Sequence, residues 1–296
     1  MQLETDIQFH TNIGTIADIE QLNSPIPFKD IHEAFASTKY GEILAGNIRY
    51  ERFKPLHISP QEWYTLLGDD VNNLTHLTYT FNLAHDFLTT NNDALQQNTN
   101  GYLEKSIFNQ DEEQKLLLSA LIHDWGEAVV GDIPFDIKTE EDEELEFHAF
   151  DQIIHEINEQ TSINLDSNFI KETLLEVVFG MDSKLSKAFN AIERLGYLTT
   201  GIKAWFKSTE IQEDDPILSQ NLEQLANNVL LNQIPTLIEY ASIYPAVHKY
   251  LTSHEESISQ AFLSSSASSF KTFEGEALLE KINTFNKARR DWFYWI

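Results

Sequence analysis

The chain has 296 residues, 42% of them hydrophobic, and sets 20 Lys plus Arg against 47 Asp plus Glu, a formal charge of −27. That length allows one large domain or two small ones and a sizeable core, while the negative field opposes general nucleic-acid binding and anionic membranes; a small phosphate in a locally positive pocket is still admitted. Cysteine is absent, which removes disulfides and thiolate metal sites, and neither a signal peptide nor an apolar run of the about 18–20 residues a membrane span needs is seen, so a cytoplasmic protein is expected.

Helical periodicity dominates the chain from residue 71 onward. The first 70 residues carry short pieces such as EILAGNIRYERF that fit a strand or a helix equally. Leu74, Leu77, Phe81, Ala84 and Leu88 recur at spacings of three and four and predict an amphipathic helix. Residues 111–130 predict a second helix, apolar all round at Leu116, Leu117, Leu118, Ala120, Leu121 and Ile122, hence central and buried, with Gly131 and Pro134 marking its end. The run TEEDEELE at 139–146 starts a solvated acidic helix that continues through Phe147, Phe150, Ile153 and Ile154. ETLLEVVF and LSKAFNAIERLGYL predict two further helices. IQEDDPIL at 211–218 breaks the pattern before LEQLANNVLLNQI, IPTLIEYASIYPAVHKYL and EALLEKINTFNKARRDWFYWI. LSSSASSF at 263–270 is a loop or flexible connection, and the aromatic end DWFYWI packs on the parent core or a dimer partner.

The buried segment runs straight into His123-Asp124, with Glu127 three residues later and Gly131-Asp132 beyond. On a helix His123 and Glu127 share a face, and His123 and Asp124 differ by about 100° yet can reach one ion above the helix end. Imidazole suits Zn, Fe, Mn or Co, and a carboxylate adds the charge that such an ion needs. His85-Asp86 is a second His-Asp pair with no acid three or four residues on, and is read as surface or capping. His148 and His155, seven apart with Asp151 between them, are read as solvated or interface histidines in preference to a second metal site.

The two segments NNLTHLTYTFNLAHDFL and LLLSALIHDWGEAVVGDIPFDIK together resemble the HD-domain phosphohydrolases, and most of all the bacterial 5'-deoxynucleotidase-type branch, whose core reads HDxxExxxGDxPxxxK. His123, Asp124, Glu127, Gly131, Asp132, Pro134 and Lys138 stand at that spacing, and the resemblance covers about residues 71–200. It implies an all-α HD-domain helical bundle over 71–210, with an N-terminal extension over 1–70 packed on the core and a C-terminal helical extension over 211–296. It implies one divalent metal ion (Mn, Co, Fe, Zn or Mg) on His76, His123, Asp124 and the residue at the late family Asp, which here is Asn190. It gives Glu127 the attacking water, makes Asp132 a second catalytic carboxylate and turns Lys138 toward a substrate phosphate. The implied reaction is hydrolysis of a deoxynucleoside monophosphate or a similar small phosphate ester.

Two positions depart from the family pattern. Asn190 is neutral, so the protein would supply one ligand charge instead of two, and Glu193 or Asp182 is the candidate substitute. The Arg and Glu that family members often carry before the first His are missing from DDVNNLTH, and Arg49 and Arg52 in NIRYERF are the candidate replacements for substrate binding. A degenerate HD domain that binds a nucleotide or a protein partner without turnover therefore stands as the alternative. The extensions could form a lid or a homo-oligomer interface.

Overall fold

A computed structural model describes residues 24–46, 59, 63–65, 72–98, 107–133, 138–180 and 182–258. These residues form helices and contain no strand. Two short helices lead, α1 (Phe28–Ala36) and α2 (Lys39–Gly46). α1 buries Phe28, Ile31, Ala34 and Phe35, a three-and-four spacing that gives one apolar face. The ambiguous EILAGNIRYERF is helical as far as Gly46; its remainder, including Arg49 and Arg52, lies outside the described residues.

α3 (Asn73–Asn98) buries the expected stripe of Leu77, Phe81, Ala84 and Leu88, with Leu74 partly buried at its start. α4 (Gln110–Ile122) begins on a capping box in which the Asn109 side chain accepts from the Glu112 amide and the Glu112 carboxylate accepts from the Asn109 amide. Asp111, Glu112 and Glu113 add negative charge at the positive end of the helix dipole. Every residue from Leu116 to Ile122 is buried, against α1, α3 and two later helices, so α4 is the central helix its sequence predicts.

The helix predicted over 111–130 is, however, interrupted. α4 stops at Ile122, a turn covers His123 to Gly126, and a four-residue α5 (Glu127–Val130) follows. The amides of Trp125, Glu127 and Ala128 reach back only three residues, to Ile122, Asp124 and Trp125, at 2.9, 3.1 and 3.1 Å. This tighter winding is the short-run alternative to an α-helix. Packing fixes it here: Trp125 is fully buried, stacked on Phe35 of α1 at 4.3 Å between ring centroids and 7° between planes. Gly131, at φ 97°, ends α5 in a conformation that side chains rarely adopt.

α6 (Glu140–Gln160) opens on a second capping box, Thr139 with Asp142, and buries Phe150, Ile153, Ile154 and Ile157. α7 (Ser167–Val177) is capped by Asp166, and α8 (Lys184–Glu210) by Ser183. The break predicted at 211–218 is a turn that ends in Asp215, the N-cap of α9 (Pro216–Ala241), with Pro216 in the first helical turn, where its missing amide hydrogen is harmless. The two separate pieces expected there are one helix that continues through Pro235. α10 (Pro245–Ser253) docks on α3 through the buried Asn91, whose side-chain oxygen accepts from the Ala246 amide at 2.9 Å.

α3, α4 and α8 pack on one another, and α8 and α9 share the most extensive helix–helix seam. One hydrophobic cluster runs from Phe28 to Ile258. The expectations for LSSSASSF and DWFYWI fall outside the described residues. Among the described residues no helix is long and apolar enough to cross a membrane.

Candidate metal centre

α3, the end of α4 and α8 each send a ligand-type side chain to one place. His76 lies in the first turn of α3, His123 is the C-cap of α4, and Glu193 lies near the middle of α8. One ligand atom from each falls within 4.8 Å of the others, so this group could hold a metal ion. Asp124 faces both histidines, with one carboxylate oxygen 3.6 Å from His76 Nε2 and the other 3.3 Å from His123 Nε2. Side-chain exposure rises from 4% at His123 through 15% at Asp124 and 19% at His76 to 26% at Glu193, so the group opens toward solvent on its α8 side.

His123 has its two ring nitrogens in opposite surroundings. Nδ1 lies 3.1 Å from the Ala120 carbonyl oxygen, which can only accept, so in the neutral ring Nδ1 carries the proton. Nε2 then presents its lone pair. It is buried with no hydrogen-bond partner among the described residues, and it looks at Asp124 Oδ1 and, 3.7 Å away, Glu193 Oε1. A lone pair facing two carboxylates is repulsive unless a proton or a metal cation lies among them. The donor set of two imidazoles and two carboxylates suits a first-row divalent ion, and the carbonyl behind His123 is the orienting contact that metal-bound histidines usually have. The residues present fit a metal.

The rotation of the ring is fixed by packing. The His123 ring meets those of His76 and Phe189 edge to face, each at 5.3 Å. One turn further, Glu127 is buried and accepts a hydrogen bond from the Asn73 side chain at the start of α3. Gly126 allows the turn to approach α6, since a Cβ there would lie 2.7 Å from the Glu146 carbonyl oxygen. Asp132 follows the Gly131 turn and is half-buried.

Asn190 lies on the same helix as Glu193, but its carboxamide oxygen is engaged elsewhere. It accepts from Arg194 Nε at 2.7 Å and from the Tyr240 hydroxyl at 3.1 Å. Glu193, named as a substitute from the sequence, is the α8 residue in the three-ligand group. The other candidate, Asp182, is 96% exposed before α8 and meets Lys187 at 3.6 Å. Lys138 places its ammonium on Glu146 Oε2 at 2.6 Å. Arg49 and Arg52 cannot be placed, being outside the described residues. His85 stands half open at the surface with Asp86 4.0 Å away, and His155 is exposed beside Glu159.

Four residues around the site were not singled out by sequence reasoning: Asn73, Glu146, Arg194 and Tyr240. Glu146 is a correction to the acidic run, because it is buried where the whole of TEEDEELE was expected to be solvated. Burial pushes its carboxyl above the usual range, and Lys138 opposes that shift. The signal was present: Glu146 stands four before Phe150 and seven before Ile153, on the apolar face of α6. Asn73, Arg194 and Tyr240 carry no comparable pattern.

No family model, no curated protein and no solved structure matches this chain.

Proposed function

We propose that the chain is a metal-dependent phosphohydrolase of the HD-domain type that removes phosphate from a small phosphomonoester, a deoxynucleoside monophosphate being the preferred class. The observation that carries this reading is the buried Nε2 of His123, an acceptor aimed at the carboxylates of Asp124 and Glu193 with His76 beside it. Its motif support is the spacing of His123, Asp124, Glu127, Asp132 and Lys138 described above.

His76, His123, Asp124 and Glu193 would hold the ion. When bound, such an ion polarises a phosphoryl oxygen and makes water a better nucleophile near neutral pH. Glu127 is the proton acceptor for that water, held in place by the Asn73 side chain. The Asn73 side chain donates to Glu127 Oε2. Asp132, just past Gly131, stands as the second carboxylate for the proton of the leaving group. Lys138, held on Glu146, supplies positive charge at the edge of the phosphate.

The degenerate reading, a domain that binds a nucleotide or protein partner without turnover, has one observation in its favour. The residue at the family's fourth ligand position, Asn190, is engaged by Arg194 and Tyr240. Elemental analysis of the purified protein and hydrolysis of each deoxynucleoside monophosphate with added Mn²⁺ or Co²⁺ separate the two. About one equivalent of metal with phosphate release supports the hydrolase. Nucleotide binding without release under every metal supports the binding domain.

A further inference from the structure

Any anion that enters the candidate centre meets Asp124, Glu127 and Glu193 in a chain of net charge −27. Positive charge from the protein is therefore as necessary as the metal, and Lys138 and Arg194 are the cations to compare. Lys138 is neutralised in part by Glu146. Arg194, the one arginine among the described residues, is arranged differently.

Its guanidinium is held only by neutral groups. Nε donates to Asn190 Oδ1 at 2.7 Å, and Nη1 donates to Gln233 Oε1 at 2.7 Å and to the Asn232 carbonyl at 3.3 Å. Among the described residues no carboxylate lies within ion-pair distance of it, and nothing accepts from Nη2. By contrast Lys115, Lys171 and Lys184 each sit on a carboxylate at 2.7–2.9 Å. Carboxamides and a backbone carbonyl fix the direction of the fork and leave its charge intact. A guanidinium held by neutral groups keeps its full charge for an incoming anion.

Its place on α8 connects it to the site. Phe189 and Glu193, four apart, face His123. Asn190 and Arg194 follow each of them by one residue, about 100° further round the helix, on the side turned to α9. The fork thus stands at the α9 side of the opening that Glu193 borders. Pro235 has no amide hydrogen, which loosens the turn of α9 from which Asn232 and Gln233 meet the fork.

Resting on the phosphohydrolase reading, we infer that Arg194 is the substrate-anion residue of this site: its guanidinium, oriented by Asn190, Gln233 and the Asn232 carbonyl, binds the phosphoryl oxygens of a phosphomonoester through Nη2. Asn190 then has a role that its place in the family pattern does not suggest. It is the neutral bed that positions an arginine without cancelling its charge, and a carboxylate there would remove the charge on which binding depends.

Inorganic phosphate, titrated calorimetrically into the full chain as purified, tests this. R194A and N190D should each weaken phosphate binding at least tenfold, and R194K, which keeps the charge but not the fork, should fall between them and the wild type. N190D preserves shape and retains the arginine, so it carries the test if R194A fails to fold. Metal content should be the same in wild type and N190D, since the Asn190 oxygen faces Arg194 and Tyr240. Wild-type affinity in both R194A and N190D, or no phosphate binding by the wild type, overturns the assignment. The same preparations, assayed on deoxynucleoside monophosphates, keep the two readings apart. Phosphate binding that depends on Arg194 without turnover in any variant sinks the hydrolase and leaves the anion site. Turnover with KM unchanged in R194A and N190D does the reverse.

Discussion

At the scale of single residues, the proposed centre gives two carboxylates different tasks. Glu193 is assigned to the ion, so E193Q removes a ligand charge and should lower metal affinity at least tenfold, read by calorimetry with Mn²⁺ or Co²⁺. Retention of wild-type affinity would return the fourth ligand to another group. Glu127 is assigned to the proton, so E127Q should cut phosphate release by about 10²–10⁴-fold with metal content unchanged. Equal turnover in the two proteins would remove that role. A third residue, outside the site, reports on stability. Burial pushes the His32 imidazole on α1 down to about 4, and its Nδ1 has no hydrogen-bond partner among the described residues. The native state therefore binds fewer protons than the unfolded chain, whose imidazole titrates near 6.5. The contribution of His32 is complete above about pH 6.5 and is lost as pH falls toward 4. Allowing for its partial exposure, stability should drop by about 1–2 kcal/mol between pH 7 and pH 5 from this group. Urea midpoints of wild type and H32Q at both pH values measure it, and an identical pH dependence in the two would refute it.

At the scale of elements, the turn from His123 to Gly126 does most to shape the centre. It holds its conformation because Trp125 is stacked on Phe35 and because Gly126 touches the backbone of α6. G126A should destabilise the fold by about 1–3 kcal/mol, as an overpacked contact with backbone that has little room to shift. A thermal midpoint equal to that of the wild type would show that the turn and α6 can part freely. The same turn marks the limit of what the sequence could convey. The apolar stripe of α3 and the all-round burial of α4 were legible, because periodicity records which faces lie inside. The stop at Ile122 was not, since nothing local breaks a helix there: the nearest glycines are Gly126 and Gly131, and the decisive partner, Phe35, lies far back in the chain. At the centre, the motif pointed to His76, His123 and Asp124, and the structure brings these three side chains together. The engagement of Asn190 by Tyr240 of α9 was not, because periodicity does not say which side chain of a neighbouring helix faces a given residue. Glu193 was within reach as a neighbour on the helical face, and only the tertiary arrangement favours it over Asp182.

At the scale of the whole molecule, the four side chains proposed to hold the ion come from three parts of the chain far apart in sequence, α3, the end of α4 and α8. The group therefore exists only once the α3–α4–α8 packing has formed. An ion that binds it selects the folded chain over the unfolded one, and the thermal midpoint should rise with metal concentration. At one hundred times the dissociation constant the gain is about 2.7 kcal/mol. Scanning calorimetry across a Mn²⁺ or Co²⁺ series, with a chelator control, measures it, and a midpoint indifferent to metal would count against the centre. The drop in midpoint on chelation should be smaller in E193Q, which separates this ion from others bound by an acidic surface.

The capped break at residues 211–215 has a consequence of another kind. α8 and α9 lie side by side, so the turn between them converts a near neighbour in sequence into a long partner in space. Such local hairpins close at small entropic cost and can form early. The bed of Arg194 lies wholly within this hairpin, on Asn190, Asn232 and Gln233. The ion's ligands, in contrast, must wait for α3 and α4. During refolding an anion site would thus mature before a cation site. Phosphate in the refolding buffer should then accelerate collapse of the α8–α9 hairpin, whereas a divalent ion should act only on the last phase. Stopped-flow kinetics with each additive would resolve that order in time.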